Sequence, residues 1–418
     1  MTGSSTRKRK IPGRSHGLHP DLKIYFERYA AGPALLPPPE TPPELIFTIP
    51  AHREENIAHT IDSLLDCEFN RPSEILVLLN YSENSPQAIR DAHHRDLEHL
   101  RNRYEEKHMD NVALHFLLRE LPHKHAGVGL ARKILMDEAA RRLDPDTGVI
   151  IGLDADCLVS PNYVSEIEKH FLLHPEIHGA SIWFEHAIPE SGLQRDAIIA
   201  YELHLRYFIE AQRMLKLPYA YHTVGSSMAV RPMAYAKAGG MNRRKAGEDF
   251  YFLHKIIPRG FGEINTTAVY PSARSSDRVP FGTGRAVQDL IASKRDPATY
   301  APENIMIIKN MLNNIYNKVL NINKLNSINK QLLEYMNAEE NFQRIRRNSS
   351  DLTAYHKHFY AWFDGFQLMK ALHFLRDNLT PDVPVDDAGT WLLKVYHNID
   401  FDGSSLDLLL KYRQIQRI

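Results

Sequence analysis

Val149-Ile150-Ile151-Gly152-Leu153-Asp154-Ala155-Asp156 reads as an apolar strand that runs directly into two acids. Side chains alternate along a strand, so Asp154 and Asp156 are expected on one side where it ends, at the carboxyl edge where open α/β sheets bind ligands. Two carboxylates placed there repel one another unless one takes a proton or a cation sits between them. Mg2+ or Mn2+ accepts carboxylate and phosphate oxygens together, so the pair predicts a divalent metal site on Asp156 and Asp154. The competing reading of an Asp-x-Asp is a structural cap of a loop.

Outward from this stretch, runs of strand length alternate with helical patterns. Leu45 to Ile49, Ile75 to Leu79 and Val112 to Leu118 precede it, while Ala180 to Phe184, Ser226 to Val230 and Gly262 to Val269 follow. Between the first two runs Ile57, Ile61, Leu64 and Leu65 fall at helical spacing, as do Ala131, Ile134, Leu135 and Ala139 before Val149. The alternation predicts an α/β fold, a mostly parallel sheet flanked by helices. Beyond residue 286 the strand signals fade and helical spacing takes over, as in Ile308, Met311, Leu312, Ile315 and Val319. Three parts are expected: a flexible basic and Pro-rich segment over 1–43, a catalytic α/β domain over 44–285 and a helical region over 286–418.

The 418 residues are 43% hydrophobic and 24% charged, which excludes a disordered or fibrous chain. Lys plus Arg and Asp plus Glu both number 51, so no global field favours nucleic acid. Cys67 and Cys157 cannot build a disulfide framework. With no apolar run of the roughly 18 to 20 residues that cross a bilayer and no secretory signal, the expected location is cytoplasmic. Arg7, Lys8, Arg9, Lys10 and Arg14 lie in an acid-free stretch. Disorder is its simpler reading, and contact with the inner face of a membrane is the alternative.

Two further segments carry chemistry. In His123-Lys124-His125-Ala126-Gly127-Val128-Gly129-Leu130-Ala131-Arg132, two glycines open a helix beside Lys124 and Arg132. Glycines at a helix N-terminus let the backbone approach a phosphate, though an ordinary helix start competes. In Ala246-Gly247-Glu248-Asp249-Phe250, adjacent acids either cap a helix or supply a general base, and Gly239-Gly240 with Arg243, Arg244 and Lys245 upstream suggests a hinged, mobile loop.

Taken in order, Ile49-Pro50-Ala51-His52-Arg53-Glu54-Glu55, the Gly127 to Arg132 segment, Asp154-Ala155-Asp156, Gly239-Gly240 and Glu248-Asp249 resemble the family 2 glycosyltransferases, over about residues 44 to 260. The resemblance implies a GT-A fold and a hexosyltransferase-like, inverting enzyme. A nucleotide-diphosphate sugar would lie near Pro50, Glu54, Asn80, Lys124, Gly127, Arg132 and Asp154, with Asp156 and Asp154 on Mn2+ or Mg2+. Asp249 would deprotonate an acceptor hydroxyl and Glu248 would support it; the acceptor itself, whether glycan, lipid or small molecule, is not specified. Arg274 and Arg278, in a loop rich in Arg and Gly, would close over the leaving diphosphate. Trp183, Glu185, His186 and the run from Tyr201 to Tyr207 fall where acceptors bind in the family, with core packing the simpler reading of the two tyrosines.

The sequence departs from the family pattern at Arg53, where Asn is usual, and at Leu79-Asn80-Tyr81-Ser82-Glu83-Asn84, where Asp-Asp-Gly-Ser is usual. The base-reading Asp is therefore missing, with Asn80 or Glu83 as substitutes, and uridine does not follow. The alternatives are a nucleotidyltransferase, against which Pro50 to Glu55 lacks glycine, and a non-catalytic nucleotide-sugar-binding module.

Overall fold

A computed structural model describes residues 19–107, 109–274, 283–293, 297–316 and 327–417. Its centre is an eight-stranded sheet: β1 (Leu45–Ala51), β2 (Ser73–Ser82), β3 (Val112–Leu121), β4 (Val149–Gly152), β5 (Leu158–Val159), β6 (Gly179–Phe184), β7 (Met228–Val230) and β8 (Phe261–Tyr270), in the order β3-β2-β1-β4-β7-β6-β8-β5. The β3, β2, β1 and β4 ladders are parallel. Strand β7 runs antiparallel to both β4 and β6, β8 lies parallel to β6, and β5 is antiparallel to β8. The expected mostly parallel sheet is present, with β7 and β5 reversed.

The apolar strands are buried on both faces, and alternation sorts them into two cores. Leu45, Phe47, Ile49, Ile75, Val77, Val149 and Ile151 pack on one side, with α2 (Ile57–Leu65) and α5 (Tyr163–Leu173). Ile46, Leu76, Leu78 and Ile150 pack on the other, with α4 (Val128–Arg142). Each such Leu or Ile contributes about 1.5 to 3 kcal/mol on burial, so register is fixed from both faces.

The remaining helices are α1 (Pro20–Arg28), α3 (Gln87–Tyr104), α6 (Leu193–Met214), α7 (Pro232–Lys237), α8 (Glu248–Ile256), α9 (Thr283–Ser293), α10 (Pro302–Tyr316), α11 (Ser327–Tyr335), α12 (Ala338–Arg347), α13 (Leu352–Trp362), α14 (Gly365–Asn378), α15 (Val385–His397) and α16 (Ser405–Gln416). The expected helical C-terminal region is present, apart from a two-residue ladder, Ala298–Thr299 with Val383–Pro384. It shares one hydrophobic core with α6: Leu203, Tyr207, Ala211 and Met214 pack with Ile308, Leu372, Leu392 and Tyr412.

The expectation of a flexible 1–43 segment needs correction over its second half. Helix α1 buries Leu22 and Tyr25 against the body. Tyr25 Oη donates to Asp137 Oδ1 at 2.6 Å, and the Ala31 and Leu35 amides donate to Asp137 and Glu138. The cause lies in α4, whose buried Asp137 and Glu138 have further oxygens to satisfy beyond what Lys133 and Arg142 of the same helix offer. The basic residues Arg7 to Arg14 lie outside the described residues.

Candidate active site

The carboxyl ends of β1, β2 and β4 open into a cavity of about 670 Å³, lined among others by Pro50, Glu54, Asn80, Gly127, Arg132, Asp154, Asp156, Glu248, Asp249 and Arg274. Ten of the sequence-derived site residues thus meet at one place, drawn from segments up to 224 positions apart, Pro50 to Arg274. Lys124 is exposed and is not among the lining residues. Arg278 lies outside the described residues.

The acids after β4 do not continue the strand. Pairing ends at Gly152, and Ala155 and Asp156 form a turn. Leu153, Ala155 and Cys157 pack into the core, so Asp154 and Asp156 are turned to the cavity, the outcome expected from strand alternation but produced by a turn. Each acid faces an arginine. Arg132 Nη2 hydrogen-bonds Asp154 Oδ1, while Arg274 Nη2 lies 3.1 Å from Asp156 Oδ2 and also pairs with Glu54.

Arg132 has a second partner, since its Nη1 donates to Glu248 Oε1. Its side chain is 2% exposed and that of Glu248 is 3% exposed. Burial works against the guanidinium's charge, but Asp154, Glu248 and Asp249 together hold its pKa up. Three carboxylates around one guanidinium leave an excess of negative charge. Burial, reinforced by Asp249 and Asp154, outweighs Arg132 and pushes the Glu248 carboxyl up to about 7. Burial also raises the Asp249 carboxyl, although the Gly225 and Phe250 amides donate to it, each at 2.8 Å.

The glycines at the start of α4 are also packing positions. A Cβ on Gly129 would come within 2.1 Å of the Arg244 carbonyl oxygen, and one on Gly127 within 3.3 Å of Lys245 Cα. The 242–245 segment is laid directly over the start of α4. Gly127 still borders the cavity, but chain packing alone accounts for Gly129. In the segment expected to be a mobile hinge, Gly240 is packed, since a Cβ there would overlap Tyr25 Oη, while Gly239 faces open space.

Asn80, offered as a substitute for a base-reading acid, is buried and donates through Nδ2 to the Ala51 carbonyl at 2.8 Å, tying β2 to β1. Glu83 accepts from the His123 amide at 2.8 Å and is not among the lining residues. Of the acceptor-side candidates His186 and Tyr201 line the cavity; Trp183 and Glu185 are not among the lining residues. Tyr207 is a core residue, its hydroxyl donating to the Tyr300 carbonyl.

His204, within the run from Tyr201 to Tyr207 read as acceptor-side, lines the cavity, while Phe208, Tyr221, His222, Phe250, Tyr300 and Met369 escaped the sequence reading. Thr223, Val224 and Gly225 also line the cavity and received no reading, and Ser226 was read only as the start of a strand. Gly225 packs against Arg132, where a Cβ would come within 2.3 Å of Nη1. The signal available in the sequence was the His and aromatic content of 201–208, but Tyr300 and Met369 come from the C-terminal region and no local pattern joins them to it.

A polar network seats that region beside the site. Glu202 of α6, fully buried, accepts from Arg206 at 2.7 Å, from Arg413 of α16 at 2.7 Å, and from the His186 amide at 2.9 Å. Burial opposes its charge, but the two arginines and His186 hold its carboxyl well below the usual range.

No protein-family model matches the chain, and no curated protein matches it. Among solved structures, TarS 1–349 of S. aureus is similar at 13% identity and a TM-score of 0.38, over 86% of this chain and 93% of that one. A mannosyltransferase from Pyrobaculum calidifontis, in complex with GDP-Man and Mn2+, shares 14% identity at a TM-score of 0.34, over 95% and 94%. Glucosyl-3-phosphoglycerate synthase from Mycobacterium tuberculosis, in complex with Mn2+, UDP-Glc and glycerol 3-phosphate, shares 13% at 0.34, over 69% and 85%. These remain likenesses, and the reading of the site rests on its own residues.

Proposed function

We propose that the chain is an inverting glycosyltransferase that moves a sugar from a nucleotide-diphosphate donor to an acceptor hydroxyl, with Asp249 as general base. The observation that carries this reading is the division of labour between adjacent acids. Both acids line the cavity, but Glu248 is buried and tied to Arg132, whereas Asp249 is half-buried and held by two backbone amides. A base needs a fixed position and a pKa raised toward the working pH, and Asp249 has both.

In the proposed reaction the acceptor proton passes to Asp249. The acceptor oxygen forms a bond to the anomeric carbon as the anomeric carbon–oxygen bond to the diphosphate breaks from the opposite face. The electron pair leaves with the diphosphate, whose developing charge Arg274 offsets from the cavity wall. Arg132 keeps Glu248 and Asp154 in place beside the reacting centre.

The donor set fits a hard divalent cation. No cluster of three or more His, Cys, Asp or Glu occurs among the described residues, yet Mg2+ and Mn2+ sites on nucleotides commonly use one or two carboxylates with water and phosphate oxygens completing the shell. Asp156 and Asp154, both on the cavity, are that kind of set. When bound, the ion supplies charge neutralisation on the diphosphate.

The test is donor turnover. UDP- and GDP-sugars are incubated with the chain, with and without Mn2+, and release of the nucleoside diphosphate is measured. Mn2+-dependent release that Asp249→Asn suppresses supports the proposal; Mn2+-dependent binding without any release favours a non-catalytic binding module.

A further inference from the structure

The charge along the cavity is unevenly distributed. Every Asp, Glu, Lys or Arg among its described lining residues belongs to the groups around Arg132 and Arg274, with Asp249 beside the first. Each arginine is already paired with two carboxylates. The rest of the lining is aromatic, aliphatic or uncharged polar.

The aromatic part is organised. His204 and Phe208 of α6 lie with ring planes 4° apart and centroids 6.4 Å apart, and Tyr300 packs on Phe208 at 5.4 Å. His204 Nδ1 meets Thr299 Oγ1 at 2.8 Å, which fixes the imidazole. On α8, Phe250 and His254 pack at 4.2 Å, leading away from Asp249, and Met369 of α14 also borders the cavity. Burial drives His204 down to about 4 and lowers His254, so both rings are neutral at physiological pH.

Resting on the transfer reading above, we propose that the acceptor is an uncharged hydroxyl compound that lays a flat apolar face, a sugar ring or an aryl group, on the wall of His204, Phe208 and Tyr300, and that anionic acceptors are excluded. Aromatic faces bury flat apolar surface well and leave a hydroxyl at the edge to reach Asp249. With Arg274 turned to the donor diphosphate and Arg132 held by Asp154 and Glu248, a phosphate or carboxylate on the same acceptor would meet no further Lys or Arg along the described lining, a desolvation cost without a partner.

The test uses the full chain without donor or metal. Calorimetric affinities are compared for phenyl β-D-glucopyranoside, its carboxylate counterpart phenyl β-D-glucuronide, and methyl β-D-glucopyranoside. The phenyl glucoside is expected to bind at least about tenfold more tightly than the glucuronide, a gap of about 1.4 kcal/mol. Equal affinity of the methyl glucoside assigns the wall to the sugar ring, and loss of its affinity assigns it to the aryl group. Phe208→Ala is expected to weaken phenyl glucoside binding about tenfold or more. Met369→Arg, at a half-buried position that tolerates a longer side chain better, should instead shift preference toward the glucuronide, and it decides the matter if Phe208→Ala melts at assay temperature. Glucuronide binding as tight as the glucoside, or no measurable binding of any of the three at millimolar concentration, overturns the inference. Binding of UDP and GDP with Mn2+ is measured on the same preparation, so a failed donor reading shows separately from a failed acceptor wall.

Discussion

Arg132 and Glu248 stand 116 positions apart in the chain and form a buried ion pair at the wall of the cavity. The same guanidinium holds Asp154, so one side chain joins α4, the turn after β4 and the start of α8. Replacing it by Met keeps much of the volume but leaves the buried Glu248 without its counter-charge. Removing one partner of such a pair costs about 3 to 5 kcal/mol. Arg132→Met is therefore expected to lower the denaturation midpoint markedly, and a midpoint within error of the native chain would refute the pair's structural role.

Stability should carry the signature of Glu248 in its pH dependence. Its carboxyl is raised from an ordinary 4.5 to about 7 in the folded chain, so between these values the folded state holds more protons than the unfolded one. Stability attached to this group is complete below about pH 4.5 and is lost as pH rises through 7. Glu248→Gln stays neutral throughout. Relative to native, its melting temperature should improve as pH rises from 4.5 to 7.5, and a gap that is flat or moves the other way contradicts the raised carboxyl.

Much of the architecture was legible because its signal is local. Strands such as Leu45–Ala51 and Val149–Gly152 are buried on both faces, so each survives in the sequence as a continuous, largely apolar run of strand length. The acids at the strand ends were legible for the same reason. What escaped depends on packing between distant segments. Nothing local in Gly129 says that the Arg244 carbonyl lies against it, and nothing local in Tyr25 reveals Asp137. The proposed acceptor wall was legible only at His204, because Tyr300 and Met369 reach the cavity only after the C-terminal helices pack on α6.

That packing makes the helical region part of the fold rather than an appendage. Without it, α6 would expose Leu203, Tyr207, Ala211 and Met214, and Glu202 would lose Arg413. A fragment spanning 44–285 is expected to be insoluble or molten, as judged by loss of near-ultraviolet dichroism and by dye binding. Full-rate transfer by this fragment would show the helices to be accessory.

Asp156 is the better placed of the two acids for a cation, because Asp154 is held by the buried Arg132 while Asp156 faces the partly exposed Arg274. Asp156→Asn removes one hard-oxygen charge. Mn2+-dependent affinity for UDP or GDP is expected to fall at least about tenfold, with metal-free affinity little changed. Unaltered metal-dependent binding by calorimetry rules out this role.

The base assignment makes the most discriminating demand. Asp249→Asn keeps the shape and can still accept from the Gly225 amide, so the donor pocket should remain intact. Nucleoside diphosphate affinity and melting temperature should hold while transfer falls by about 10² to 10⁴, the usual contribution of a positioned base. Glu248→Gln should cost less in transfer, because Glu248 is buried behind Asp249 and paired with Arg132 rather than placed against the acceptor. If the two acids instead only cap α8, both variants should lose about 0.5 to 2 kcal/mol of stability with turnover per folded molecule nearly unchanged. The three measurements on two variants separate these cases, and native turnover in Asp249→Asn would remove the base from the mechanism.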